Sequence, residues 1–226
     1  VIGRHAERIA PFSGAPQSVS SHEHVDRGAE KYGFFLEAAP MQPMLAASSG
    51  WASGRDLHAL MGALPHLSVV IALQVDGLLP GDDGGDVTLR ADGRIPVDYA
   101  IDARLADAMR DAHVAAARVQ LAAGAIEVMS THVDSVRATS LAGLSAFESA
   151  RYGAQQHGIF SAHQMGGCSM GADPARHPVD LEHRFRGTDN LFVVDGSVFP
   201  TALGVNPSQT IYGLAHRAAD FVRAAV

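Results

Sequence analysis

The chain has 226 residues, 47% hydrophobic and 18% charged, with a formal net charge of −7 and a single cysteine. That composition excludes a disordered polymer and suits one large domain or two small ones around a buried core. The acidic balance argues against nucleic acid as a partner, and one cysteine excludes an internal disulfide framework or a multi-cysteine zinc site.

Residues 1–30 hold Pro11, Gly14 and Pro16 without a sustained period, so an irregular segment with a short strand near Ser18–Ser20 is expected. His22, Glu23, His24 and Asp26 invite a metal reading, but no second ligand pair follows, and a solvated loop without metal is expected. Gly33–Pro40 reads as a buried strand ended by its proline. Glu37 inside it is either an exposed residue on an edge strand or a buried carboxylate that needs a partner. Met41–Gly62, with Met41, Met44, Leu45, Trp51, Leu57, Leu60 and Met61, is either a helical core patch or an adaptable apolar substrate wall.

Leu67–Val75 is a second buried strand. Asp82-Asp83-Gly84-Gly85-Asp86 follows as an acidic turn whose spacing does not match a calcium loop. Val87–Arg90, the turn Asp92-Gly93-Arg94 and Ile95–Tyr99 make a hairpin. Asp102 is placed to cap a helix running to about Ala123 and stopped by Gly124. Leu105, Met109, Ala112, Ala116, Val119 and Ala123 give it one apolar face. A short strand at Ile126–Met129 and a helix within Leu141–Arg151 complete the stretch. Strands in runs with helices to one side predict an α+β domain over residues 1–158, a mainly antiparallel sheet covered by helices on one side.

Residues 159–226 concentrate the turn chemistry. Ser161-Ala162-His163-Gln164-Met165-Gly166-Gly167-Cys168-Ser169-Met170-Gly171 sets an imidazole on a glycine-bearing turn. Cys168 is either a nucleophile or an inert buried thiol, and no base is fixed beside it by spacing. Asn190–Asp195 reads as a buried strand ending at Asp195-Gly196-Ser197, where backbone N–H groups can meet a ligand. Gly204-Val205-Asn206-Pro207 enters a last helix through about Val222, whose positive dipole end falls beside Asn206.

The blocks His163-x-x-Gly166-Gly167-Cys168-x-Met170-Gly171, Val194-Asp195-Gly196-Ser197-x-x-Pro200 and Gly204-Val205-Asn206-Pro207 resemble, in order, the C-terminus of the glucose–methanol–choline (GMC) oxidoreductases. They look closest to the cholesterol oxidase and long-chain alcohol oxidase branches. The resemblance implies FAD as cofactor, an alcohol as substrate, and a C-terminal segment that completes an FAD-binding fold. It implies that His163 and Asn206 hold the substrate oxygen and that Glu37 accepts its proton. Asp195, Gly196, Asn206, Pro207 and Thr210 match flavin-contacting positions. The family's G-x-G-x-x-G after a first strand does not occur, and the chain opens Val1-Ile2-Gly3 without initiator Met or leader. A C-terminal half is therefore expected, joined to a missing N-terminal FAD-binding domain and inactive alone. A non-catalytic binding module and a Cys168–His163 thiol hydrolase are the competing readings. No run approaches the roughly 20 apolar residues of a membrane span, and a lone cysteine fits a cytoplasmic setting.

Overall fold

The computed structural model describes residues 1–15, 17–48, 53–77, 79–82 and 84–225. Contacts divide it into two units, Val1–Gln74 with Asp83–Ile159, and Val75–Asp82 with Phe160–Val226. Along the chain run β1 (Ile2–Arg4), β2 (Ser20–Ser21), β3 (Gly33–Ala38), α1 (Pro43–Ser48), α2 (Gly54–Ala63), β4 (Leu67–Val75), β5 (Gly85–Val87), β6 (Val97–Tyr99), α3 (Ala103–Ala122), β7 (Glu127–Met129), β8 (Arg137–Ala138), α4 (Ser145–Ser149) and α5 (Ser208–Ala224).

Six strands form one sheet in the order β2-β3-β4-β1-β7-β8. β1 lies antiparallel to β4 and to β7, and β2–β3 and β7–β8 are antiparallel as well. The alternation of a strand sorts its side chains to two faces. Phe34 and Leu36 of β3 with Val70 and Ala72 of β4 pack on Ala112, Ala115 and Ala116 of α3. Val128 of β7 joins Ala117, Leu144 and Phe147 beside them. Alanine on the inner face of α3 lets the helix axis come close to the sheet. The opposite parity, Ile2, Leu67 and Met129, packs with Met41, Ala46, Leu60 and Leu64, so α1 and α2 add cover there. Each Val, Leu, Ile, Phe or Met side chain fully buried here contributes about 1.5–3 kcal/mol. The α+β class thus follows from period-2 strands laid against one long amphipathic helix.

Local signals explain the element ends. Asp102 Oδ1 accepts from Leu105 N at 2.8 Å, capping α3. β5 and β6 pair Asp86 with Asp98 and Val87 with Val97 across the expected hairpin. A partly buried polar row lies between α3 and the sheet, its members hydrogen-bonded to one another. His5 Nε2 stands 2.7 Å from Ser68 Oγ, which donates to Gln120 Oε1 at 2.6 Å, while Gln120 Nε2 donates to Ser68 O at 3.3 Å.

The Met- and Ala-rich stretch divides between its two readings. Met41, Leu57, Leu60 and Met61 are core, whereas Met44 and Leu45 are 86% and 58% exposed. Trp51 lies outside the described residues, as does Asp83 of the acidic turn. Asp82 Oδ2 accepts from Leu79 N, closing its own turn. His22 stacks on Phe35, and His24 packs at a tilt against Phe34. No helix among the described residues is long and apolar enough to cross a membrane.

The strand expected at Asn190–Asp195 is replaced by a short antiparallel contact. Phe185 N donates to Leu191 O and Val193 N to His183 O, both at 2.9 Å, around an Arg184–Phe192 bridge. The chain turns at Asp180–His183, so the partner is too short for a ladder. Leu191 is 48% exposed and Phe192–Val194 are half-buried, so the apolar run is not a core strand either.

Candidate active site

Three chain segments of the second unit meet at Gly196. Asp195 starts the first, a helical turn over Gly196–Val198, by accepting at Oδ1 from Ser197 N (2.8 Å) and Ser197 Oγ (2.5 Å). The buried Val198 and Phe199 anchor that turn from behind. The histidine block is stapled to it by two backbone bonds, Cys168 N to Ser197 O (3.1 Å) and Met170 N to Val198 O (2.9 Å). The half-buried Cys168 therefore serves here through its backbone. The third segment is the first turn of α5. A Cβ placed on Gly196 would stand 3.3 Å from Ile211 Cδ1 and 3.4 Å from Gln164 O, so the three segments come within van der Waals reach of one another at this glycine.

This convergence places each expected residue of the unit. His163 directly precedes Gln164 and is half-buried; Gln164 Nε2 donates to Ser161 O at 2.9 Å and closes the turn around it. Asp195 directly precedes Gly196 and is exposed. Asn206 and Thr210 are exposed at the start of α5, and Pro207 is buried as its N-cap residue with no side chain capping the helix. Gly204 is buried at φ +68°, a left-handed turn that a side chain would strain, and it directs the chain into Asn206. The N-terminal end of a seventeen-residue helix thus stands open to solvent, its first-turn N–H groups and dipole available to a partner gaining negative charge.

Glu37 belongs to the other unit, on β3. It is 2% exposed, which resolves its two readings in favour of the buried carboxylate. β3 is flanked by β2 and β4 and is not an edge, and Glu37 pairs with Ser20 in register. Gln17, at φ +53°, donates its amide to Glu37 Oε2 at 3.3 Å. Nothing in the irregular 1–30 segment signalled Gln17, since contact and backbone strain arise only on folding.

The first unit holds a further cluster that the sequence does not announce. His113, His132, Tyr152 and His157 pack ring against ring with centroids 4.8–5.6 Å apart. Burial holds all three imidazoles below the ordinary histidine range, His113 furthest, and pushes the Tyr152 phenol up. His113 Nδ1 donates to Met109 O at 2.8 Å and Tyr152 Oη to Phe147 O at 2.9 Å. The members come from α3, the segment after β7 and the loop before Phe160, so no spacing links them. Among the described residues no group of three His, Cys, Asp or Glu could hold a metal ion.

Comparison with known proteins bears on this arrangement. A long-chain-alcohol oxidase, FAO4A of Arabidopsis thaliana, is 27% identical over 216 residues, covering 91% of the chain and 28% of that protein. A cholesterol oxidase of Acinetobacter baumannii is 49% identical over 65 residues, 29% of the chain and 12% of that protein. The crystal structure of pyridoxine 4-oxidase from Mesorbium loti shares the fold at a TM-score of 0.51 and 21% identity, over 84% of this chain and 34% of that one. The chain spans about a third or less of the length of these relatives. The family model for GMC oxidoreductases matches residues 80–215, more than half of the chain and all three segments that meet at Gly196. The chain belongs to the GMC oxidoreductases.

Proposed function

We propose that this chain is the substrate-binding and active-site portion of an FAD-dependent oxidoreductase that oxidises a lipophilic primary or secondary alcohol, long-chain or sterol-like. The observation that carries the reading is the convergence of the His163 block, the Asp195 turn and the start of α5 on one glycine. Residues 1–158 form the substrate-binding domain in this reading, and residues 159–226 complete the FAD-binding fold. The relatives named for long-chain-alcohol and cholesterol oxidation support the substrate class.

The residues present fit a flavin ring. The uncapped N-terminal end of α5, with Asn206, Pro207 and Thr210, offers N–H donors and a positive dipole to the ring's polar edge. Asp195 offers an exposed carboxylate and Gly196 half-buried backbone beside it. The bound flavin supplies a hydride acceptor. His163 and Asn206 hold the substrate hydroxyl, orienting its carbon and stabilising the oxygen as negative charge develops there. Glu37, buried and held by Gln17, accepts the hydroxyl proton. The dinucleotide phosphates are held by an N-terminal domain outside this sequence, and turnover requires that domain.

The test is alcohol turnover by the full-length flavoprotein carrying His163→Ala or Asn206→Ala. Flavin absorbance is retained in both, and kcat/KM falls by about 10²–10³ for each lost group. Unchanged turnover in both variants refutes the assignment.

A further inference from the structure

His183 is fully buried, sits at φ +67° and bonds twice to Val193. In an antiparallel pair two facing residues exchange both backbone N–H···O bonds. Val193 N donates to His183 O at 2.9 Å, which is one half of that exchange. The other half is missing from the backbone, because His183 N is turned back to Asp180 O at 3.1 Å. The imidazole supplies it. His183 Nδ1 stands 3.1 Å from Val193 O, and since a carbonyl only accepts, Nδ1 carries the proton. Nε2 is buried without a partner among the described residues, so the ring's polar contribution is this one bond. Left-handed backbone is rare outside glycine and persists where the surroundings demand it.

The turn that carries His183 is tied on its other side. Glu182 N and Arg184 N both donate to Asp180 Oδ1 at 2.9 Å. Arg217 of α5 donates to Leu181 O at 2.8 Å. Two residues beyond Val193 stands Asp195, whose turn meets Gln164 and Ile211 at Gly196. The 180–184 turn therefore links α5 to the segment that presents Asp195.

We propose that His183 is a positioning residue: its imidazole replaces a diverted backbone donor and so holds Val193, and with it the Asp195–Val198 turn, in place against α5. The proposal rests on the reading of that turn as a flavin contact. Leucine keeps the bulk of the ring and lacks the donor. Asparagine tolerates positive φ and carries an amide nitrogen where Nδ1 stands.

The experiment compares His183→Leu and His183→Asn in the full-length flavoprotein. Flavin affinity, the flavin visible spectrum and cooperative melting are read in parallel. His183→Leu is expected to melt cooperatively but to bind flavin about tenfold more weakly, the scale of one hydrogen bond carried into binding, with a shifted visible band. His183→Asn restores affinity and spectrum to within about twofold of the parent, a difference well under one hydrogen bond. Wild-type affinity and spectrum in a folded His183→Leu protein overturn the proposal, as does a His183→Asn protein as impaired as His183→Leu. A His183→Leu protein that does not fold overturns it too, since His183 then holds the whole unit and not the turn. Absence of flavin from the wild-type full-length protein is a separate outcome and refutes the functional reading.

Discussion

Gly171 ends the histidine block, and replacing it with alanine tests whether close packing there is required. A Cβ on Gly171 would overlap the His177 ring, 2.5 Å from Cγ and 2.6 Å from Nε2. Neither wall can give easily. Gly171 N donates to Val179 O at 3.0 Å and its carbonyl accepts from Arg186 Nη2 at 2.8 Å. On the other side His177 N donates to Asp173 O (3.0 Å), His177 O accepts from Arg186 Nε (3.0 Å), and Ser169 Oγ lies 3.1 Å from Nδ1. The ring must swing out and lose its Ser169 bond, about 1 kcal/mol, on top of about 1–3 kcal/mol for overpacking. The sum is about 2–4 kcal/mol, and at about 2–4 °C per kcal/mol for a chain this size Gly171→Ala lowers Tm by about 4–16 °C. Thermal unfolding followed by circular dichroism reads the shift. A second substitution, His177→Ala, removes the obstacle and the Ser169 bond alike, so the double variant recovers about 2–4 kcal/mol relative to the sum of the singles. Additive losses in the double variant would show that the ring is not the obstacle, and a Gly171→Ala protein that melts with the parent would refute the packing argument.

Substitutions at three further positions probe other links. Asp102→Ala removes the carboxylate that caps Leu105 N and costs about 1 kcal/mol in urea unfolding, while Asp102→Asn keeps most of the cap; equal losses would refute capping as the cause. His113, His132 and His157 are held below their ordinary pKa of 6.5 by burial, so the unfolded chain binds protons first as pH falls. Stability is therefore complete above about pH 6.5 and declines as pH drops toward the lower folded values. His113→Phe, which keeps a ring against Tyr152, flattens the fall in Tm between about pH 7 and pH 5; an unchanged slope would remove His113 from the effect. Glu37→Gln preserves size and the contact with Gln17, so the fold persists while kcat of the full-length enzyme drops by about 10²–10⁴. Wild-type kcat in that variant would exclude Glu37 as the proton acceptor.

Much of the fold is written in local pattern. Continuous apolar runs gave Gly33–Ala38 and Leu67–Val75, and the four-and-three spacing with Asp102 in front gave α3 almost to the residue. Such signals are legible because each depends on neighbours within one turn or one strand. The glycine-rich blocks around His163, Asp195 and Asn206 were legible for a related reason, since tight turns restrict residue choice at each position.

Long-range geometry decided the rest. Asn190–Asp195 has the composition of a buried strand, yet its partner ends at the Asp180–His183 turn, and a strand cannot outrun its partner. Composition left Glu37 open between surface and core; folding left it 2% exposed on a strand flanked by β2 and β4. Gln17, His183 and the His113–His132–His157–Tyr152 cluster carry no spacing signal, because their partners lie at irregular separations of 5 to 44 residues along the chain. The sequence by itself determined where the tight turns at Gly166, Gly196 and Gly204 fall. Only tertiary structure decided that Gln164, Gly196 and Ile211 share one point, because van der Waals contact between distant segments is set by packing and not by order along the chain.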